Sequence, residues 1–250
     1  MLRKMLILAT NDDGVYSPGL TMLASALKDL GEVWVVAPDR EQSAVSHSLT
    51  LHRPLLVEKI MEKVFSVNGT PTDCVNLAVG GLLPGKPDLV VSGINKGANL
   101  GEDVTYSGTV SAAFEAALMG IPAFAVSMAA REDFIFKTAA DFARRLGTAI
   151  LNQKTGGHTL LNVNVPNLPA REVRGVRVTR QGRRVYGGSV LERIDPRGKK
   201  YYWIGGDAEN WTELPDADHE AVRQGFISVT PLRLDLTDFD AIKGLKALGL

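Results

Sequence analysis

Asp12 and Asp13 stand side by side before Gly14, with only Thr10 and Asn11 between them and the apolar run Met5-Leu6-Ile7-Leu8-Ala9. Adjacent carboxylates repel each other and resist the loss of hydration at the mouth of a buried element. The pair is costly unless a cation neutralises it. Oxygen donors of this kind suit a hard divalent ion such as Mg²⁺ or Mn²⁺, and Co²⁺ also accepts them. An isolated Asp-Gly is most often an ordinary turn. Here its place argues for more, because open α/β sheets build their sites at the carboxyl ends of strands.

Two later stretches carry groups that could work beside such a cation. Gly93-Ile94-Asn95-Lys96-Gly97-Ala98-Asn99-Leu100-Gly101 is rich in glycine but is neither a P-loop nor a dinucleotide fingerprint. Its amides, Asn95 and Asn99, are neutral ligands for a metal or a phosphate, and Lys96 adds a charge. Ser107-Gly108-Thr109 opens a segment rich in alanine. Small hydroxyl residues and a glycine at a helix start expose backbone N–H groups to an anion, and simple N-capping by Ser107 or Thr109 explains them equally well. Ser43, after Pro38-Asp39-Arg40-Glu41-Gln42, is by itself an ordinary loop serine.

The elements that position these residues follow from the apolar pattern. A strand ends at the aspartates, and Ser17-Pro18-Gly19 signals a helix whose apolar residues run from Leu20 to Leu30, with Gly31 as its stop. Val33-Trp34-Val35-Val36-Ala37 is a second strand, which completes a right-handed βαβ unit and brings the Ser43 loop beside Asp12-Asp13. Residues 49–67 read as an edge hairpin. Thr70-Pro71-Thr72-Asp73 is a capping-box helix start, and Cys74 behind it is a packing thiol. Further strands are expected at Asp88–Ser92, Ala123–Ser127, Thr159–Val165 and Phe226–Thr230, with a helix over Phe134–Leu151. Arg174–Gln181 alternates polar and apolar residues. With Tyr201–Ile204 as its partner strand it reads as a long hairpin, its arginines forming one solvated face, and Asp207–Glu220 reads as an acidic loop.

Composition excludes several classes. Lys plus Arg and Asp plus Glu both number 28, giving no net charge, so nothing points to a stable nucleic-acid partner or an anionic membrane. Tyr186 is the one aromatic residue near the arginines at 171–184. A lone cysteine excludes an internal disulfide and fits a reducing, cytoplasmic setting. His47, His52, His158 and His219 have no metal-like spacing, and Asp218-His219 reaches the aspartates only if the fold brings it there. No stretch has the length and apolarity of a membrane span, and Met1-Leu2-Arg3-Lys4 lacks the cleavage site of a secretory leader.

Taken in order, Thr10-Asn11-Asp12-Asp13-Gly14, Ala37-Pro38-Asp39, Gln42-Ser43-Ala44, Gly69-Thr70-Pro71-Thr72-Asp73, Val91-Ser92-Gly93-Ile94-Asn95, Gly97-Ala98-Asn99-Leu100-Gly101, Tyr106-Ser107-Gly108-Thr109-Val110 and Thr230-Pro231-Leu232 span nearly the whole chain. This set resembles the SurE (survival protein E) family of metal-dependent nucleoside monophosphate phosphatases. The resemblance implies a single α/β domain over residues 1–250, a Rossmann-like three-layer α/β/α sandwich with a mostly parallel sheet. It also implies a protruding C-terminal hairpin arm at about 179–206, and homodimers or homotetramers that exchange C-terminal segments. By the same resemblance Asp12, Asp13, Ser43 and Asn95 ligate one divalent cation per subunit, and Asn99, Ser107, Gly108 and Thr109 surround the substrate phosphate. The expected reaction is hydrolysis of nucleoside 5′-monophosphates, with Asp12 or Asp13 orienting or deprotonating water. The residues leave open 3′-nucleotides and short polyphosphate as further substrates. They also leave open an aspartyl-phosphate route through Asp12 and a non-catalytic nucleotide-binding regulator.

Overall fold

The computed structural model describes residues 4–152, 159–185, 190–204 and 210–249. Strand β1 (Leu6–Thr10) is buried along its whole length. Ile7 and Ala9 face one core, Leu6 and Leu8 the other, so the run is apolar without alternation. Helix α1 (Pro18–Leu27) starts at Ser17 with Pro18 in its first turn and buries Leu20, Leu23 and Leu27. It stops short of Leu30, whose N–H turns back onto the Leu27 carbonyl at 2.9 Å. Strand β2 (Glu32–Pro38) lies parallel to β1. The hairpin of β3 (Val57–Met61) and β4 (Val64–Val67) closes that edge, with β4 parallel to β2.

Helix α2 (Pro71–Leu77) has the expected capping box. The Asp73 N–H donates to the Thr70 hydroxyl at 3.0 Å and the Thr70 N–H donates to the Asp73 carboxylate at 2.8 Å. Cys74 is wholly buried there, and burial pushes its thiol far up, as befits a packing group. Strand β5 (Leu89–Lys96) then returns to the opposite side of β1. It runs further than the apolar pattern predicts, because Ile94 is itself a core residue, and this places Asn95 on a strand end rather than in a free loop. Helix α3 (Gly108–Leu118), strand β6 (Ala123–Ala129), helix α4 (Phe136–Asn152) and strand β7 (Leu160–Pro166) continue the alternation. Helices α1 and α4 cover one face of the sheet, and α2 and α3 the other. The alanines of α3, at 112, 113, 116 and 117, are all buried and let it lie close on the strands.

The C-terminal part departs from the sequence reading. Strand β8 (Val176–Val178) does not pair with Tyr201–Ile204. The chain goes on through β9 (Arg183–Arg184), β10 (Val190–Ile194), β11 (Lys200–Ile204), β12 (Trp211–Thr212), helix α5 (Asp218–Arg223), β13 (Ile227–Pro231) and helix α6 (Phe239–Ala247). β11 pairs with β10 instead, while β8 lies parallel beside β13. The cause lies in the side chains around β8. Buried Thr179 bonds Ser228 and Thr230, each at 2.8 Å, and the Arg177 guanidinium lies 3.8 Å from the centre of the Phe226 ring. Arg174 and Arg177 therefore lie on Phe226, beside the main sheet, while Arg183 and Arg184 form β9 and pair with β12. The last residues of the expected acidic loop form α5. Tyr186, His158 and the parts of the arm at 186–189 and 205–206 lie outside the described residues.

The nine-stranded sheet has the order β3-β4-β2-β1-β5-β6-β7-β13-β8. The strands from β4 to β7 are parallel, whereas β13 runs antiparallel to β7. The chain leaves β1 for β2 on one side and comes back to β5 on the other. The loops after β1 and β5 diverge at this switch point, and a crevice opens between them. No described helix is long and apolar enough to cross a membrane.

Candidate functional site

Asp12 leaves β1 into that crevice and is only 7% exposed. Its Oδ2 accepts the Thr109 N–H at 3.0 Å and its Oδ1 accepts the Thr109 hydroxyl at 2.5 Å. Both donors belong to the first turn of α3, where the helix dipole favours negative charge. Burial nevertheless wins and raises the Asp12 pKa from 3.8 to about 6; the Thr109 hydroxyl pulls it down and the charge of Asp13 pushes it further up. Asp13 is half-buried, and burial raises its carboxyl too, against the pull of the Lys96 N–H at 3.2 Å. Two adjacent carboxylates that are both penalised as anions fit a site completed by a cation.

The backbone around them is tightly specified. The Asn11 amide donates to the Gly14 carbonyl at 3.0 Å. Gly14 has φ +95°, and a Cβ there would come within 3.2 Å of the Arg40 backbone. At Gly108 a Cβ would lie 3.0 Å from the Asp12 Cβ and 3.1 Å from Asp12 Oδ2, so any side chain there would press α3 against the carboxylate. The Val15 N–H donates to Pro38 and the Gln42 N–H to the Asp12 carbonyl, both at 2.8 Å. These bonds bring the loop of Ser43 to the aspartates. The Ser43 hydroxyl is exposed and donates to Glu41 at 2.5 Å.

Asn95 reaches the same crevice from β5. Its amide nitrogen donates to the Gly97 carbonyl at 2.9 Å, which leaves the oxygen, the atom a cation takes, on the other side. Asn99 is more deeply set. Its N–H donates to Asn164 at 2.8 Å and its side-chain amide to Ser127 at 2.6 Å, while its carbonyl accepts from Asn162 and Asn164. Ser107 caps α3, its hydroxyl accepting the Val110 N–H at 3.1 Å. In this structure Ser107 thus serves its own helix and Thr109 serves Asp12. Asp12, Gly108 and Thr109 come together, and Asp13 accepts the N–H of Lys96, the neighbour of Asn95. The Ser43 loop is tied to them through the Gln42 N–H, and Asn99 stands on a buried network.

The donor set fits a hard divalent cation: two carboxylates, an amide oxygen and a hydroxyl, all oxygen. Among the described residues no three His, Cys, Asp or Glu side chains converge as a metal group, and the candidate set draws on Asn and Ser instead. Thr10 and Ser92 stand in register on β1 and β5, and their hydroxyls are buried without hydrogen-bond partners among the described residues. Sequence reasoning missed Ser127, Asn162 and Asn164. The signal for the asparagines was present, since both interrupt the otherwise apolar strand β7 at a spacing of two.

Residues 7–188 match the family model described as Survival protein SurE. The chain belongs to the SurE family. A protein named 5'-nucleotidase SurE from Geotalea daltonii is 56% identical over 243 residues, covering 97% of this chain and 98% of that relative. One of the same name from Geobacter sulfurreducens is 54% identical over 247 residues, covering 98% of this chain and 94% of the relative. The crystal structure of the SurE protein from Aquifex aeolicus has a TM-score of 0.88 at 48% identity and covers 98% of this chain and all of that one. The SurE fold is therefore the three-layer α/β arrangement expected from the motifs.

Proposed function

We propose that this SurE protein is a divalent-cation-dependent phosphatase that hydrolyses nucleoside 5′-monophosphates to a nucleoside and inorganic phosphate. The observation that carries the reading is the buried Asp12 carboxylate, raised to about 6 beside a second carboxylate and held by both donors of Thr109. The full-length likeness to relatives named 5'-nucleotidase SurE supports the substrate class.

Asp12, Asp13, Ser43 and Asn95 would hold one cation per subunit, with Mg²⁺, Mn²⁺ and Co²⁺ all compatible with these oxygen donors. A cation there supplies charge neutralisation at the phosphoryl group and lowers the pKa of bound water. Thr109 fixes both oxygens of Asp12, each keeping a lone pair for a further contact. Asp12 orients the attacking water and takes its proton. Asn99, Ser107, Gly108 and Thr109 would surround the phosphate at the start of α3, where the helix dipole favours an anion although the Thr109 and Val110 N–H groups already serve Asp12 and Ser107. The bond from water oxygen to phosphorus forms, the bond to the 5′-oxygen breaks, the leaving oxygen takes a proton from solvent, and Asp12 releases to solvent the proton it took. The enzyme works as a homo-oligomer. The β10–β11 hairpin, which exposes Trp203 (62%) on one face and Ile204 (91%) on the other, is the contact its arm offers.

The test is release of inorganic phosphate from a panel of nucleoside monophosphates, with Mg²⁺ or Mn²⁺ and with chelator. Turnover that chelator abolishes is expected, and Asp12→Asn should remove it while circular dichroism stays unchanged. Turnover that persists in chelator, or in that variant, overturns the reading.

A further inference from the structure

Beside the candidate site a cavity of about 530 Å³ opens on the far side of the glycine-rich loop. Its near wall is Gly97, Ala98 and Leu100, the stretch between Asn95 and the Gly101 turn. The loop is tied to the candidate site by the Asn95 side chain, whose amide donates to the Gly97 carbonyl at 2.9 Å. The far wall is aromatic: the Trp211 and His219 rings stack with centroids 4.4 Å apart and planes within 9°. Ala129, Ala130 and Val222 complete an apolar floor, and Arg131, Arg184 and Arg223 stand around it.

The walls are fastened to one another. Asp218 is fully buried. Its carboxylate accepts N–H groups from Gly101, Gly182 and His219, each at 2.8 Å, and so joins the end of the glycine-rich loop, the approach to β9 and the start of α5. The His219 Nδ1 is buried and lacks a hydrogen-bond partner among the described residues. It lies against Gly182, where a Cβ would approach to 2.3 Å, so the opposite edge of the imidazole, with Nε2, is turned away from that backbone. At Gly101 a Cβ would meet the Trp211 ring at 2.7 Å, which seats the indole directly on the loop. Asp103 also lines the cavity and pairs with Arg184 at 2.6 Å, and Arg223 pairs with Glu220 at 2.7 Å. A cavity with a stacked aromatic pair and partly neutralised charges matches a planar heteroaromatic ring better than a chain of phosphates.

We propose that this cavity is the nucleobase subsite, with Trp211 and His219 as the wall that receives the base and Asp218 as the residue that positions this wall against the phosphate loop. The proposal rests on the nucleotidase reading and adds to it where the leaving nucleoside is recognised. Binding the base there adds to the affinity for the nucleotide without touching the reacting atoms, so Trp211 is a specificity residue and not a catalytic one.

The experiment compares a nucleoside 5′-monophosphate with ribose 5-phosphate, the same phosphomonoester without a base, in wild type, Trp211→Leu and Val222→Trp. The first variant removes the wall; the second leaves the wall and fills the cavity. Both should raise KM for the nucleotide roughly tenfold, the size of one base–aromatic stack. Neither should move kcat much, nor kcat/KM for ribose 5-phosphate more than about twofold. Retained ribose 5-phosphate hydrolysis is also the control for folding. Equal losses on both substrates, or no change on the nucleotide, overturn the subsite while leaving the nucleotidase intact. Loss confined to tri- or polyphosphate substrates overturns it in favour of an anion site at the arginines. Absence of turnover of any phosphomonoester by the wild type refutes the nucleotidase reading itself.

Discussion

Replacing Thr109 with Val isolates the contact on which the aspartate pair depends. Valine keeps the backbone N–H on Asp12 Oδ2 at 3.0 Å and removes the hydroxyl from Oδ1. That hydroxyl is the largest influence holding the Asp12 carboxyl down against its burial. A hydrogen bond to a charged group contributes about 1.5–3 kcal/mol, so its loss makes the carboxyl roughly tenfold to a hundredfold harder to ionise. A cation needs the ionised form. In the wild type its affinity is therefore full above the raised pKa of about 6 and weakens about tenfold with each pH unit below it. In Thr109→Val the weakening begins at higher pH, and at neutral pH Mg²⁺ or Mn²⁺ should bind about twofold to tenfold more weakly. Alkaline pH should restore much of the loss. Titration calorimetry across pH, joined to the acid limb of phosphate release, measures both effects. A folded variant with wild-type affinity and an unmoved acid limb refutes the argument. A deficit that stays the same at alkaline pH refutes it too, because the hydroxyl would then act by geometry and not through ionisation.

Two further outcomes follow from the packing. Gly108→Ala puts a methyl 3.0 Å from both the Asp12 Cβ and Val45; such overpacking costs about 1–3 kcal/mol, and displacing the carboxylate should lower kcat by roughly a hundredfold, whereas a melting temperature and kcat like the wild type's would show that α3 has room to shift. Ile204→Glu charges the most exposed apolar residue of the β10–β11 hairpin, at 91%. It should lower the mass measured by light scattering to that of a smaller assembly without altering the far-ultraviolet spectrum, and an unchanged mass removes this hairpin from the contact.

The sequence alone determined whatever depends on neighbours along the chain. The apolar runs of β1, β2 and β5, the helix starts at Pro18, Pro71 and Gly108, and the glycine turn after Asp12-Asp13 were all legible, because propensity, capping and burial on both faces leave local patterns. Together they place the aspartates at the carboxyl end of a parallel strand. Only the tertiary structure decided what those carboxylates touch. Thr109 meets Asp12 across 97 residues of chain, and Asn164 meets Asn99 across 65. It also decided that β11 pairs with β10 while β8 joins the main sheet, and that Asp218 fastens α5 to a loop 117 residues away. A hydrogen bond between distant segments leaves no periodicity in either one. Its partners become identifiable only when folding has buried both and each donor must find its acceptor.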